Sequence, residues 1–423
     1  MGQLILRLTP HAFRIAWLNL LRNRRRSLLS IFIITIAVFA LTTAGGFGLY
    51  TYESLKESTV RKAGHITLSQ PGYFEGKEET PLDNGLSNIQ AITTSLLLNE
   101  EVRSVQPRIY FSGLISNGSK SNIFTGIGVN DREFDLKGPF LNLHHGKTLS
   151  NVNSRYFDPA EPQVMLSIGL ASHLQVTVGD WITLLATTTD GVLNALDFKV
   201  RGIYSTGIPE LDKRELYVHL HSTQELLSTN KVSTISIFLY QTDLTQKVLN
   251  TITPQIKALE NIEPLIFIPW WDRAFFYVKV KSLYDRIFGV LGSVMVLVVF
   301  VAVFNTMTMS VTERTREIGT LSALGTYPHE IIVGFVREAS ILALLGSLFG
   351  VLLTLITSIT LLFVDIQMPP PPGRTESYPL HIYFSIELAL YTTLAVLSLC
   401  VITAYLSTRK GTNKPITEAL IHV

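Results

Sequence analysis

The chain has 423 residues, 47% of them apolar and only 16% charged, with a mean hydropathy of +0.31. It is too apolar for an ordinary soluble enzyme and too charged for an all-membrane bundle, so a protein part in lipid and part in water fits. A net charge of +2 gives no reason to expect a nucleic-acid partner, and the single cysteine, Cys400, lies in an apolar run where a small buried residue is expected.

In chain order, "HAFRIAWLNLLRN" comes first. Phe13, Trp17, Leu20 and Leu21 recur at helical spacing beside Arg14 and Arg22. This predicts either a helix lying flat at the membrane surface or the first turns of the next, membrane-crossing helix. Leu28 to Tyr50 then lacks Asp, Glu, Lys and Arg, as do Ile287 to Thr312, Ala339 to Val364 and Leu388 to Thr408. About 20 apolar residues span the hydrocarbon. One central Arg or Asp would cost roughly 2.5–3.5 kcal/mol, whereas a Leu returns only about 0.5. Four charge-free windows therefore predict four transmembrane helices. The first is too long in its apolar region for a cleaved signal peptide and reads as an uncleaved anchor.

Residues 51–286 read as one large mixed α/β domain, with turn-rich segments near Gly72 to Asn88 and Gly138 to Pro162 that could separate two subdomains. "STISIFLY" alternates as a half-buried strand would, with Ile235, Ile237 and Leu239 on one face. "DFKVRGIY" does the same before slipping register, and "VGDWITLL" reads as a turn feeding a strand. "NIQAITTSLLLNE" reads as a helix, and "DLTQKVLNTITPQIKALE" as a helix kinked or broken by Pro254. There is no internal repeat.

Chemistry is scarce. No G-x-x-x-x-G-K-[ST] loop occurs, and "GIG" at Gly126 to Gly128 lacks the third glycine of a phosphate loop. His144 and His145 are adjacent and do not converge; His219 and His221 could share a strand face, but with no supporting Cys or carboxylate pattern they read as surface histidines. Glu75, Glu78 and Glu79 form a charged loop. No catalytic, cofactor-binding or metal-ligating set is expected in this chain.

The informative stretch is "TERTREIGTLSALGTYPHEI", Thr312 to Ile331, between the second and third windows. Glu313 to Leu324 has helical propensity almost throughout. Gly325 fits its stop, and Pro328 with Glu330 fits the first turn of the next helix. Gly319 inside the helix costs about 1 kcal/mol against Ala and so suggests a close contact. Ile318, Leu321 and Leu324 recur at i,i+3 spacing with Glu317 among them, and Glu313 and Arg316 are spaced to pair. The segment reads either as a helix lying on the bilayer or as an apolar-and-charged knob that docks into another protein.

Lys and Arg counts set the orientation. Arg22, Arg24, Arg25 and Arg26 precede the first span, and Arg409, Lys410 and Lys414 come after the fourth. Both termini and the knob are then cytoplasmic. Lys279, Lys281 and Arg286 run the other way, in a long segment that translocates regardless of charge. Small residues at Gly289, Gly292 and Ser293, and at Gly346, Ser347 and Gly350, suit close helix approach. "MPPPPG" at Met368 to Gly373 reads as a stiff polyproline stub, either bracing the large domain or standing as a rigid loop.

At these residues the sequence resembles a known family. "SVTERTREIGTLSALGT" followed by "VREASILALLGSLFG" is similar to the MacB/FtsX-type permeases of ABC transporters. The tail "KPITEALIHV" and the start "RIAWLNLLRNRRRSLLS" agree, while "IGLASHLQVTVGDWITL" and "RGIYSTGIPELDKRELYVHL" resemble the LolC/LolE branch. The resemblance covers nearly the whole chain and implies a permease subunit without its own motor. No fused ATPase domain is expected, since only residues 1–27 precede the first span. The fold implied by the resemblance is an α-helical membrane protein with four transmembrane helices and a large extracytoplasmic α/β domain between the first and second. Its expected segments are a cytoplasmic or interfacial helix at 1–27, spans at 28–50, 287–312, 339–364 and 388–408, the domain at 51–286, a coupling segment at 313–338, a Pro-rich outer loop at 365–387 and a cytoplasmic tail at 409–423. The location would be a bacterial inner membrane.

The resemblance further implies that Glu313, Arg314, Arg316, Glu317, Ile318, Gly319, Leu321, Leu324 and Gly325 meet an ATPase subunit dimer, which itself binds ATP and Mg, with Ile318, Leu321 and Leu324 filling a groove there. A second permease copy or paralogue is expected, with a lipoprotein or periplasmic adaptor as a further partner. Three functions stay open: extraction or export of a lipoprotein, lipid or other hydrophobic cargo; FtsX-like signalling that activates an extracytoplasmic hydrolase; and a membrane-anchored binding protein with no ATPase.

Overall fold

The computed structural model describes residues 18–22, 24–75, 82–138, 141–150, 161–258, 264–364, 366–369 and 377–412. Most of the amphipathic start, Glu78 and Glu79, all but the first two residues of the polyproline stub, and the "KPITEALIHV" tail lie outside the described residues. The chain divides into two compact units. One holds the described residues of Met1–Tyr52, Val280–Gln367 and Pro379–Val423; the other holds those of Glu53–Lys279 and Met368–Tyr378.

Among the described residues, four helices are long and apolar enough to cross a membrane. They are α1 (Arg24–Ala63), α9 (Phe275–Glu313), α11 (Pro328–Phe363) and α12 (Ile386–Thr412). Each exceeds its charge-free window, because lipid constrains only the middle of a helix while intrahelical hydrogen bonds carry it on through polar flanks. The third begins at Pro328, where the sequence places a first turn, so the stretch grouped with the coupling segment through residue 338 includes the start of this helix.

In the first unit, α1 and α11 pack closely. A Cβ at Gly346 would meet the Ile34 side chain at 2.6 Å, and one at Gly350 would meet Val38 at 2.8 Å. Thr35 Oγ1 donates to the Gly346 carbonyl at 3.2 Å, and the Thr42 and Thr354 hydroxyls lie 2.6 Å apart. In lipid the driving force for association is van der Waals contact plus such bonds, so small residues decide where backbones approach. Gly346 and Gly350 serve this purpose. Gly289 does not, having nothing within 4 Å of its Cβ position, and Gly292 meets only Leu41 at 3.8 Å. Cys400 is fully buried among the apolar side chains of this bundle.

The second unit is built on one continuous sheet. Strand β2 (Val102–Ser116) pairs with β3 (Ser121–Val129), β3 with β8 (Glu215–His219), and β8 with β5 (Gln163–Ser167). β5 then pairs with β7 (Leu193–Ser205), β7 with β6 (Trp181–Thr187), and β6 returns to β2, closing a ring of six strands. Closure brings backbones so near at Gly113 that any Cβ there would strike the Leu185 carbonyl. Inward residues Ile115, Phe124, Leu184, Phe198, Val200 and Leu216 fill the ring. Beyond it β4 (Asn142–Gly146) pairs with β7. On the other side the first half of β2 continues into β9 (Thr234–Leu239), β1 (Ile66–Ser69) and β10 (Ile266–Pro269). β2 thus belongs to both halves of the sheet.

Some local expectations change for a related reason. β9 lies between two partners and is buried on both faces, where the alternating "STISIFLY" suggested one wet face. Helix α2 (Ile89–Leu97) forms as expected. Helix α7 (Thr245–Lys257) runs unbroken through Pro254. Val248, Ile252 and Ile256 are buried on one face and offset the roughly 3 kcal/mol that an interior proline costs. His219 ends β8 and His221 sits in α6 (Leu220–Leu226), so the two share no strand, and His219 is buried rather than at the surface.

Candidate functional site

The informative stretch forms an elbow between α9 and α11. α9 ends at Glu313, where Arg314 leaves helical geometry with φ −103° and ψ 19°. A short helix, α10 (Thr315–Ala323), comes next. It stops as its sequence predicts. Gly325 takes φ +89°, its N–H donates to the Ser322 carbonyl at 3.1 Å, and the Thr326 N–H donates to the Leu321 carbonyl at 3.0 Å. That is a Schellman motif, in which a left-handed glycine lets the chain satisfy the last carbonyls. Tyr327, extended, caps α11, and Pro328 occupies its first turn, where a missing N–H costs nothing.

Apolar packing folds the elbow shut. Ile318 is buried with Val311 of α9 and with Ile331 and Phe335 of α11. Of the expected docking trio, Ile318 is therefore spent inside the fold, while Leu321 is 44% and Leu324 79% exposed. The i,i+3 spacing could not separate them, since one buried neighbour is enough to split a helix face. Gly319 is buried beside Ile318.

Charges then fix the elbow to its surroundings. Arg314 Nη1 donates to Glu338 Oε1 at 2.7 Å, and Asn19 Nδ2 donates to the same oxygen at 2.7 Å. The Arg314 guanidinium also lies 5.7 Å from the Phe335 ring centre. Glu313 accepts two bonds from Arg26, at 2.6 and 2.9 Å, and Glu317 accepts from Arg22 at 3.3 Å. The spacing of Glu313 and Arg316 lets them pair with each other or with an ATPase surface, and Glu313 also bonds to Arg26. Arg316 is exposed on α10. Sequence reading missed Asn19 and Glu338, and it took Arg22 and Arg26 only as a basic flank. A signal existed for Glu338, a carboxylate next to a charge-free window, where burial without a partner would be costly.

Residues 27–255 match the MacB-like periplasmic core domain, and residues 289–416 match the FtsX-like permease C-terminal. The chain belongs to the MacB/FtsX-type permease family. This permease is 23% identical over 354 residues to the uncharacterized ABC transporter permease YknZ of Bacillus subtilis, covering 80% of this chain and 83% of YknZ. It is 22% identical to the macrolide export ATP-binding/permease protein MacB of Aggregatibacter actinomycetemcomitans, over 81% of this chain and 52% of that protein. To the lipoprotein-releasing system transmembrane protein LolC of Xylella fastidiosa it is 24% identical, over 46% of this chain and 47% of LolC. The match thus spans most of YknZ but about half of MacB and of LolC. The permease is a multi-pass membrane protein of an ABC transporter, with its large mixed domain between the first and second membrane helices.

Proposed function

We propose that this permease passes motion made by a separate ATPase subunit, through the elbow and its membrane helices, to the large domain, where it drives extraction or export of a lipoprotein, lipid or other hydrophobic cargo. In this reading ATP and Mg are held by two ATPase subunits, and a second permease copy or paralogue completes the assembly. Arg22, Arg24, Arg25 and Arg26 around the start of α1, with Arg409 and Lys410 at the end of α12, favour a cytoplasmic elbow and cytoplasmic termini, where such a motor works.

The observation that carries the proposal is the build of the elbow. Leu321 and Leu324 are bare apolar side chains on a helix whose other contacts are fixed. Arg22 bonds to Glu317 of α10, while Arg26 and Glu338 hold Glu313 and Arg314 at the break just before it, so a push on α10 bears on more than α10. The bias towards hydrophobic cargo rests on the family likeness to LolC, named for lipoprotein release.

The test is copurification of the permease from its membrane, followed by identification of bound proteins and lipids. An ATPase subunit together with lipoprotein or lipid cargo would support the proposal. An ATPase with a hydrolase on the large domain would favour signal transmission instead, and no ATPase at all would remove the motor.

A further inference from the structure

Helix α1 ends within the second unit, at a charged terminus. Its last carbonyls carry the negative pole of the helix and have no partner inside it. Arg108 of β2 fills that role: its Nη1 donates to the Lys62 carbonyl at 2.8 Å. Ser236 Oγ and Thr67 Oγ1 donate to the Ala63 carbonyl at 2.9 and 3.2 Å. Gly64, at φ +91°, turns the chain away.

Arg108 is 2% exposed. Its remaining donors reach Glu133, Nη2 to Oε1 at 2.6 Å and Nε to Oε2 at 3.2 Å, a two-pronged bond. Glu133 lies on the short helix α3 (Arg132–Lys137) and is 1% exposed. The Phe238 ring of β9 stands 5.6 Å from the guanidinium carbon. Burial, the largest single influence, opposes the charge on Arg108, but Glu133 and Tyr110 together outweigh it and the pKa is raised. One guanidinium therefore joins a helix terminus, a central strand and a covering helix.

A second grip lies nearby. His65 Nδ1 accepts the Leu239 N–H at 3.1 Å, which leaves its Nε2–H to donate to Thr242 Oγ1 at 3.1 Å. Thr242 Oγ1 donates to Glu57 at 2.8 Å, and Lys56 pairs with Asp243 at 3.3 Å. Arg61 Nη1 donates to the Leu136 carbonyl at 3.2 Å on the α3 side. The last turns of α1 are thus held both by β2 with α3 and by β9 with the segment after it.

Folding alone does not call for this arrangement. Buried ion pairs are often replaceable by apolar residues at no loss of stability. An apolar pair, however, leaves the helix-end carbonyl without a directed bond. We infer that Arg108 is a positioning residue: with Glu133 it locks the end of α1 to the sheet, so that displacement of α1 along its axis reaches the ring of strands instead of being lost in a loose joint. The inference rests on the motor-driven reading proposed above.

The test uses the full chain in lipid nanodiscs, as wild type, R108M, R108K and the apolar pair R108M/E133L. Hydrogen exchange is measured at the amides of residues 58–64 and of β5 and β8, alongside thermal unfolding. In R108M/E133L the amides at 58–64 should exchange about tenfold faster while β5, β8 and the melting point stay near wild type. R108K should fall between. If R108M alone does not fold, the double variant still decides.

A second arm adds the copurified ATPase and measures, by spin labels on α1 and β7, the distance change on ATP addition. That change should shrink clearly in R108M/E133L, where only the second grip is left. Unaltered exchange at 58–64, or an ATP-driven change as large in the double variant as in wild type, overturns the inference. A wild type that does not respond to ATP would instead count against the motor-driven function and leave the exchange arm to judge the joint.

Discussion

Arg314 and Glu338 meet at 2.7 Å, with the arginine side chain 8% and the glutamate 5% exposed. The arginine sits at the break between α9 and α10, and the glutamate one helix later on α11. The pair fixes the angle of the elbow from inside. Removing one partner strands a buried charge, whereas removing both does not. Arg314→Met or Glu338→Leu alone should therefore destabilise the protein by about 3–5 kcal/mol. The double substitution should recover most of that loss. Unfolding in detergent, read as a double-mutant cycle, checks it, and simple additivity would show that the pair does not act as a unit.

The division of the elbow's apolar residues gives a sharper functional test. Leu321→Asp and Leu324→Asp change exposed side chains, so the protein should insert and fold while ATP-driven activity with its ATPase is lost. Ile318→Asp places a charge in the packed wedge between α9 and α11 and should cost folding itself. Full activity in both leucine variants would remove docking as the role of α10. Glu317→Lys is expected to uncouple as well, through repulsion of Arg22 as much as through any partner.

Close approach of α1 and α11 predicts a positional contrast. Gly346→Val and Gly350→Val press new methyls into Ile34 and Val38 and should destabilise by about 1–3 kcal/mol each. Gly289→Val, at a site with open space, should change stability little within a single chain. Equal effects at all three positions would contradict the packing described. A loss confined to Gly289 would instead show that α9 meets a second chain.

His65 predicts a pH dependence. Burial, the largest influence, pushes its pKa down to about 4, and Nδ1 is already committed to accepting the Leu239 N–H. The unfolded chain takes up a proton near the ordinary value of 6.5 while the folded chain does not, so folding is favoured above 6.5 and weakened as pH falls towards 4. His219, also held near 4 by burial, acts in the same direction. For His65 alone the loss between about pH 7 and pH 5 should be roughly 2 kcal/mol. Denaturant midpoints across that window should show a shallower slope in His65→Asn, whose amide oxygen can still accept the Leu239 N–H. An unchanged slope would mean that His65 protonates in the folded state at its ordinary pKa.

The parts of this protein legible in its sequence are those governed by local rules. Four charge-free windows mark the membrane helices because a bilayer penalises each charge independently of everything else in the chain. Gly325 and Pro328 mark the end of α10 and the start of α11 because left-handed geometry and a missing N–H are properties of single residues. The Thr312 to Ile331 stretch carries the family likeness for the same reason.

What the tertiary structure decided is which of those residues remain free and which are consumed. Arg26 lies 287 positions from Glu313, Asn19 lies 319 from Glu338, and Arg108 must meet both Glu133 and the carbonyl of Lys62. No periodicity links such positions. Ile318 and Leu324 look alike along the helix, yet one is packed and the other bare, and β9 reads as half-wet until a strand lies on each side of it. Pairing and burial depend on where distant segments return in space, and a one-dimensional pattern holds only the demands of each residue, not the neighbour that meets them.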